Sequence, residues 1–428
     1  MSPLDEAKMD LIVKHNSSAY ERSSDNSPSY YCGKSLIISR QISGLLYYEA
    51  TISMSNVNAN VEVKTFVLDG PMVQGNSETA SPPLKMVAKR YRWSPSPSRS
   101  KVANYLSGVS GRSASDLPPD DSTSGLTLLF AHGVGAHKEQ WEPTILSVFQ
   151  RSSISNIAKA RLREAWAFDW QNHGDAGVLN RDALQRRPRP GVSIYEWAKA
   201  MSAFMKSDHM KGHKVIPVGH SGGAGAVMLT LKDFPLWASP QVAFILVEPT
   251  IMSETQWQAL IDDRMEKMEF SIRMTMKRRT LWPNREDAFA WFRRKYPGTT
   301  WDDRVLRAFV DHGMEETPEG IRLKCEKDQE ASSYPDVEGH FEASKIITAV
   351  CHTIPIHYIW AKEPTYLPLD VRASLSDASY GRTARSIKLI EDAGHMVVQE
   401  KPDLVAKAIC DVLADTAMTT ADQIQARL

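Results

Sequence analysis

From Gly125 onward the chain alternates short apolar runs with amphipathic segments, and few architectures accept that alternation. The runs are Leu126–Ala131 and Ser386–Ile390 together with 164–169, 214–218, 242–247 and 354–360. Most are apolar at successive positions rather than at every second one. That is the pattern of strands covered on both faces, and the segments between them supply the covering helices. Two of these carry apolar residues at helical spacing: Ile194, Trp197, Ala198, Met201, Phe204 and Met205, then Leu404, Val405, Ala408, Ile409, Val412 and Leu413. The pattern predicts an α/β fold with a mostly parallel sheet and helices on both faces. Residues 252–345 interrupt it with charged, aromatic-rich helical sequence, read as a mainly helical lid inserted between two strands.

Upstream of residue 125 the sequence is less informative. Residues 1–80 are polar, with serine clusters and two candidate strands near 36–54 and 61–68. Residues 84–93 alternate apolar and basic side chains as an edge strand does, and the Ser/Pro-rich stretch 94–124 reads as an exposed loop at the boundary of the main domain. The expected organisation is an N-terminal extension over 1–80, a core from 81–251 and 346–428, and the lid over 252–345.

Composition excludes more than it identifies. Lys+Arg and Asp+Glu both total 51, so no global field favours nucleic acid or an anionic membrane. The runs Lys277-Arg278-Arg279 and Arg186-Arg187-Pro188-Arg189 read as solvated faces and are assigned no partner. Cys32, Cys325, Cys351 and Cys410 are too far apart for a metal spacing or a dense disulfide framework, so reduced thiols in an intracellular protein are expected. Neither a secretory leader nor an apolar run near the roughly 18 residues of a membrane helix is found, and no membrane span is expected.

The chemistry concentrates in four places. Lys214-Val215-Ile216-Pro217-Val218 runs into Gly219-His220-Ser221-Gly222-Gly223, and a small-residue helix follows. A serine displayed on a strained strand-to-helix turn needs glycines two residues to either side, and G-x-S-x-G provides them, which makes Ser221 the candidate nucleophile. Upstream, Leu128-Leu129-Phe130-Ala131 opens into His132-Gly133-Val134-Gly135, a loop placed to offer main-chain donors to an oxyanion; Val134 and Gly222 are the candidates. His132 itself reads as a structural hydrogen-bonding residue. A serine hydroxyl also needs a general base, and His395, in the loop after the final strand, follows the nucleophile in the expected order. The residues alone leave the acid open. Glu248 ends the strand 242–247, where an unused carboxylate would be costly to bury; Glu363 and Asp370 follow the next strand, the commoner place in such a fold, and Glu363 beside Lys362 reads as a solvated pair.

With these residues in hand, the region from about 84 to 413 resembles the α/β hydrolases, and in particular peroxisomal hydrolases of fungal secondary metabolism: an acyl-CoA hydrolase of mycophenolic acid biosynthesis and hydrolases of AK-toxin-type clusters. The likeness rests on His132-Gly133-Val134-Gly135 with Lys138-Glu139 and Glu142-Pro143, on the elbow around Ser221, on Glu248-Pro249 and on His395. It implies that the acid is Glu248, with Glu where the mycophenolate-pathway relative has Asp. The resemblance also implies a small-molecule acyl ester or thioester substrate, CoA-linked ones included, and no metal or redox cofactor. The final Ala426-Arg427-Leu428 has the small, basic, leucine form of a peroxisomal address, so an import receptor is the expected protein partner. An acyltransferase of the same fold, or a binding protein that kept the fold without turnover, are the alternatives.

Overall fold

The computed structural model describes residues 37–42, 45–52, 61–71, 83–93, 125–154, 162–364 and 366–425, with side chains omitted for 37–52 and 417–425. Its strands are β1 (Ile37–Ile42), β2 (Leu45–Ile52), β3 (Val61–Asp69), β4 (Lys85–Trp93), β5 (Leu126–Ala131), β6 (Leu162–Phe168), β7 (Lys214–His220), β8 (Phe244–Val247), β9 (Leu281–Trp282), β10 (Met314–Thr317), β11 (Gly320–Leu323), β12 (Ile356–Ala361) and β13 (Ser386–Ile390). Ten of them form one sheet in the order β1-β2-β3-β4-β6-β5-β7-β8-β12-β13. Pairing is antiparallel from β1 through β4 to β6, and parallel from β6 to β13.

The apolar runs divide between two cores, as strands buried on both faces require. Leu129, Ala131, Trp166, Phe168, Leu246, Tyr358 and Trp360 face one cluster, which includes the helices Ile194–Met205, Gly222–Leu229 and Glu338–Val350. Leu128, Phe130, Ala165, Ala167, Val218, Val247 and Ile359 face the other, which includes Glu142–Ile154 and Pro402–Gln425. The helix Ile194–Met205 starts at a capping box: Ser193 and Glu196 satisfy each other's backbone N–H groups.

Three features differ from the sequence expectation. The strand expected at an edge, β4, lies inside the sheet between β3 and β6, and its Lys89 is buried against Glu139 and Glu142. The expected boundary at 94–124 therefore lies between two strands of one sheet. The segment between β8 and β12 is helical but also holds the antiparallel sheet β10-β11-β9, with a small core of its own around Trp282, Phe292, Phe309 and Leu323. Within that segment, the helix Glu338–Val350 belongs to the first face of the main sheet. Cys32 and the tripeptide 426–428 lie outside the described residues, as does 94–124. Cys325, Cys351 and Cys410 form no disulfide, and among the described residues no helix is long and apolar enough to cross a membrane.

Candidate active site

Ser221 sits where β7 ends and the helix Gly222–Leu229 begins, at φ 54° and ψ −120°. A non-glycine residue in that region is strained and persists only where its surroundings over-determine it. Here the surroundings are glycines. A Cβ on Gly219 would lie 2.5 Å from the Ala224 Cα, and one on Gly223 would lie 2.5 Å from the carbonyl oxygens of Ala131 and His132. The turn closes that tightly only because both positions lack a side chain.

His395 occupies the loop between β13 and the short helix Val397–Glu400. Its Nε2 is 3.0 Å from Ser221 Oγ, and its Nδ1 is 3.2 Å from Glu248 Oε2. A carboxylate can only accept, so Nδ1 carries the proton and Nε2 is free to accept from the serine hydroxyl. The loop is anchored twice more: Gly394 N–H donates to Glu400 Oε2 at 2.6 Å, and His220 Nε2–H donates to the His395 carbonyl at 2.8 Å. Burial, and then the neighbouring His395, lower the His220 pKa to about 3, so the residue inside the elbow is a neutral donor.

Glu248 terminates β8 at φ 44° and is 1% exposed. A buried carboxylate needs partners, and three are present. Its Oε1 accepts from Ala361 N–H at 2.7 Å, its Oε2 faces His395, and Arg372 Nη2 lies 3.2 Å from Oε1 and 3.3 Å from Oε2. Arg372, from the helix Leu369–Ser374, also donates to the Ala361 carbonyl at 2.7 Å. Glu363 and Asp370 are both exposed. Lys362 pairs with Glu391 at 2.9 Å, so the solvated pair expected between Lys362 and Glu363 is made with a different acid.

The loop His132-Gly133-Val134-Gly135 abuts the elbow. A Cβ on Gly133 would be 3.1 Å from Ser221 Cβ, and one on Gly222 would be 3.5 Å from Val134 Cγ2. As the first residue of its helix, Gly222 has an N–H with no intrahelical acceptor. Two buried histidines hold the loop. His132 donates from Nδ1 to the Gly133 carbonyl at 2.7 Å and accepts the Trp170 N–H at Nε2, 3.0 Å. His173 accepts the Gly135 N–H at 3.1 Å and donates to Asn172 Oδ1 at 2.8 Å. Burial keeps both neutral, pushing His132 well below its ordinary value and His173 to about 3, the latter with help from Arg278.

A buried ionic cluster follows this loop in the chain. The fully buried Lys138 Nζ reaches Asp169 at 2.9 Å, Asp175 at 2.7 Å and Glu139 at 3.0 Å. Burial opposes its charge, but Asp169, Glu139 and Asp175 outweigh that and raise its pKa well above the ordinary lysine value. Glu142 accepts from Lys89 at 3.1 Å and from Tyr91 at 2.8 Å. The Lys138-Glu139 and Glu142-Pro143 strings are therefore fixed by buried ion pairs and hydrogen bonds to β4, Asp169 and Asp175.

The residues singled out in the sequence thus meet: Ser221, His395 and Glu248 form one hydrogen-bonded line, with Val134 and Gly222 beside the serine. His173, His220, Tyr366 and Arg372 are site residues not among those expected from the sequence. Only His220, between the elbow glycine and serine, carried a local signal. Among the described residues no group of three His, Cys, Asp or Glu side chains could hold a metal ion. The arrangement can deprotonate a serine hydroxyl and hold the imidazolium so formed against a carboxylate.

A sequence model of the alpha/beta hydrolase family matches residues 128–408, more than half of the chain, and the protein belongs to that family. The abhydrolase domain-containing protein AKT2 of Alternaria alternata is 29% identical over 111 residues, which cover 26% of this chain and 37% of that protein. Two solved structures share the fold. The peroxisomal α/β-hydrolase Lpx1 from Saccharomyces cerevisiae has a TM-score of 0.61 at 17% identity, covering 83% of this chain and 90% of its own. E-2-(acetamidomethylene)succinate hydrolase has a TM-score of 0.51 at 18% identity, covering 67% of this chain and 91% of its own.

Proposed function

We propose that the protein is a serine hydrolase that cleaves an acyl ester or thioester, with Ser221 as nucleophile, His395 as general base and Glu248 as the acid. The observation that carries this reading is the unbroken line from Ser221 Oγ through His395 to Glu248, at 3.0 and 3.2 Å. Ser221 attacks the carbonyl carbon as its proton passes to His395 Nε2. The Val134 and Gly222 N–H groups hold the oxyanion, and the proton on Nε2 passes to the leaving alkoxide or thiolate. Water, deprotonated by His395, then releases the acid and restores the serine hydroxyl.

The substrate class we infer is an acyl ester or thioester, CoA-linked thioesters included, of a fungal toxin or other secondary-metabolite pathway. The resemblance of the His132–Gly135 loop and of Glu248-Pro249 to such hydrolases, together with the match to AKT2, supports it. We also propose a peroxisomal site of action; the name of the neighbour Lpx1 is in keeping with it, and Ala426-Arg427-Leu428 would serve as the address wherever it stands at the protein's own C-terminus.

A panel of acyl-CoA thioesters and matched oxygen esters, followed by thiol and acid release, tests this proposal. Thioester turnover abolished in Ser221→Ala is expected; turnover of esters alone would remove the CoA-linked class. In fungal cells an N-terminally tagged fluorescent fusion should move from puncta to cytosol when the tripeptide is deleted, and an unchanged distribution would remove the address.

A further inference from the structure

The imidazole of His395 must hold both nitrogens in line, and the structure records what packs on its ring. Tyr366 stacks against it, with ring centroids 4.5 Å apart and planes 20° apart, while His220 approaches at 5.4 Å with a 36° tilt. Tyr366 comes from the loop after β12, the commoner place for the acid in this fold; here that loop delivers an aromatic ring. Burial raises the Tyr366 pKa, so the ring is a neutral phenol. Tyr366 is held in turn from the inserted segment. Arg264, on the helix Ile261–Lys277, donates through Nη1 to the Tyr366 carbonyl oxygen at 3.2 Å, and its guanidinium carbon lies 5.9 Å from the ring centroid. Arg264 is buried and also pairs with Asp263.

We propose that Tyr366 is a positioning residue for His395 and that Arg264 is its support, so that the inserted segment fixes the base through one stacked ring. The proposal rests on the assignment of His395 as base. Ring pairs at this separation are attractive beyond the area they bury. An imidazolium formed during attack is attracted to an aromatic face, whereas neutral imidazole in the ground state gains less, so the contact strengthens where the barrier lies. Small misplacements of a catalytic group are costly in rate.

The test uses the full chain, with kcat and KM measured on p-nitrophenyl acetate and folding followed by circular dichroism. Tyr366→Leu should lower kcat by about tenfold or more with little change in KM, while Tyr366→Phe, which keeps the ring, should stay close to wild type. Arg264→Met should lower kcat less, and the double variant Tyr366→Leu/Arg264→Met should be no slower than Tyr366→Leu, because Arg264 acts through the ring. Wild-type kcat in Tyr366→Leu, equal losses in Tyr366→Phe and Tyr366→Leu, or multiplying losses in the double variant would overturn the proposal. If Tyr366→Leu does not fold, an unchanged kcat in Arg264→Met overturns it. A wild-type protein that neither turns over ester nor reacts with a fluorophosphonate would instead overturn the serine-hydrolase reading, so the two failures are distinguishable.

Discussion

The N–H of Ser221 donates to the carbonyl oxygen of Val247 at 3.1 Å, which ties the serine's own backbone to the residue just before Glu248. One peptide later, Glu248 N–H donates to the Ile359 carbonyl at 2.9 Å. Ser221 and Glu248 are therefore set by the register of adjacent parallel strands, β7 against β8 and β8 against β12, and not by loops. His395 alone comes from a loop. Both Ser221 and Glu248 carry positive φ values, 54° and 44°, at their strand ends.

From that relationship, Glu248→Gln should fold and lose several orders of magnitude in kcat, because an amide cannot stabilise the imidazolium or enforce the Nδ1–H tautomer; about 10⁴-fold is the scale for such a change. Glu363→Gln and Asp370→Asn, both at exposed positions, should stay near wild type. Steady-state kinetics on the three variants checks this. An active Glu248→Gln beside an inactive Glu363→Gln would reassign the acid.

The sequence made the parallel sheet, the elbow and the histidine loop legible, because each has a local signature: successive apolar residues, paired glycines, a glycine before histidine. The place of β4 was not legible. Its basic residues looked solvent-facing, and only the fold reveals that Lys89 meets Glu139 and Glu142 from a segment some 50 residues on. Arg372 and Tyr366 were hidden for the same reason: each acts on a residue far away in sequence, with no local pattern to mark it.

Lys138→Met should destabilise the protein by about 3–5 kcal/mol, since it leaves Asp169 without its buried cation and Asp175 and Glu139 short of one. Urea unfolding at pH 7 reads the difference. A loss under about 1 kcal/mol would mean that water or a neighbouring cation compensates the cluster.

Stability should fall as the pH drops below the ordinary histidine range. The folded protein holds His220 and His173 neutral down to about 3, and His340 down to about 4, with burial the main cause in each. An unfolded chain takes up protons at those residues near pH 6.5, so below that point the unfolded state binds more protons than the folded one. Each such histidine then removes up to about 1.4 kcal/mol per pH unit. Asp175, held at about 2 because Lys138 outweighs the effect of burial, contributes stability that is lost only below the ordinary aspartate range. Between about pH 6.5 and 4.5 the histidines should therefore set the slope. Urea midpoints at pH 7.5, 6 and 5 should decline in that order, and a flat profile would contradict their burial as neutral groups.

The most direct measurement is the reaction of the full chain with a fluorophosphonate, with the modified residue located by mass spectrometry and the same preparation assayed for ester hydrolysis. A single adduct on Ser221 is expected, formed in step with loss of hydrolysis, absent from Ser221→Ala and strongly slowed in His395→Ala. An adduct elsewhere, or undiminished hydrolysis in Ser221→Ala, would contradict the assignment of Ser221 as the nucleophile.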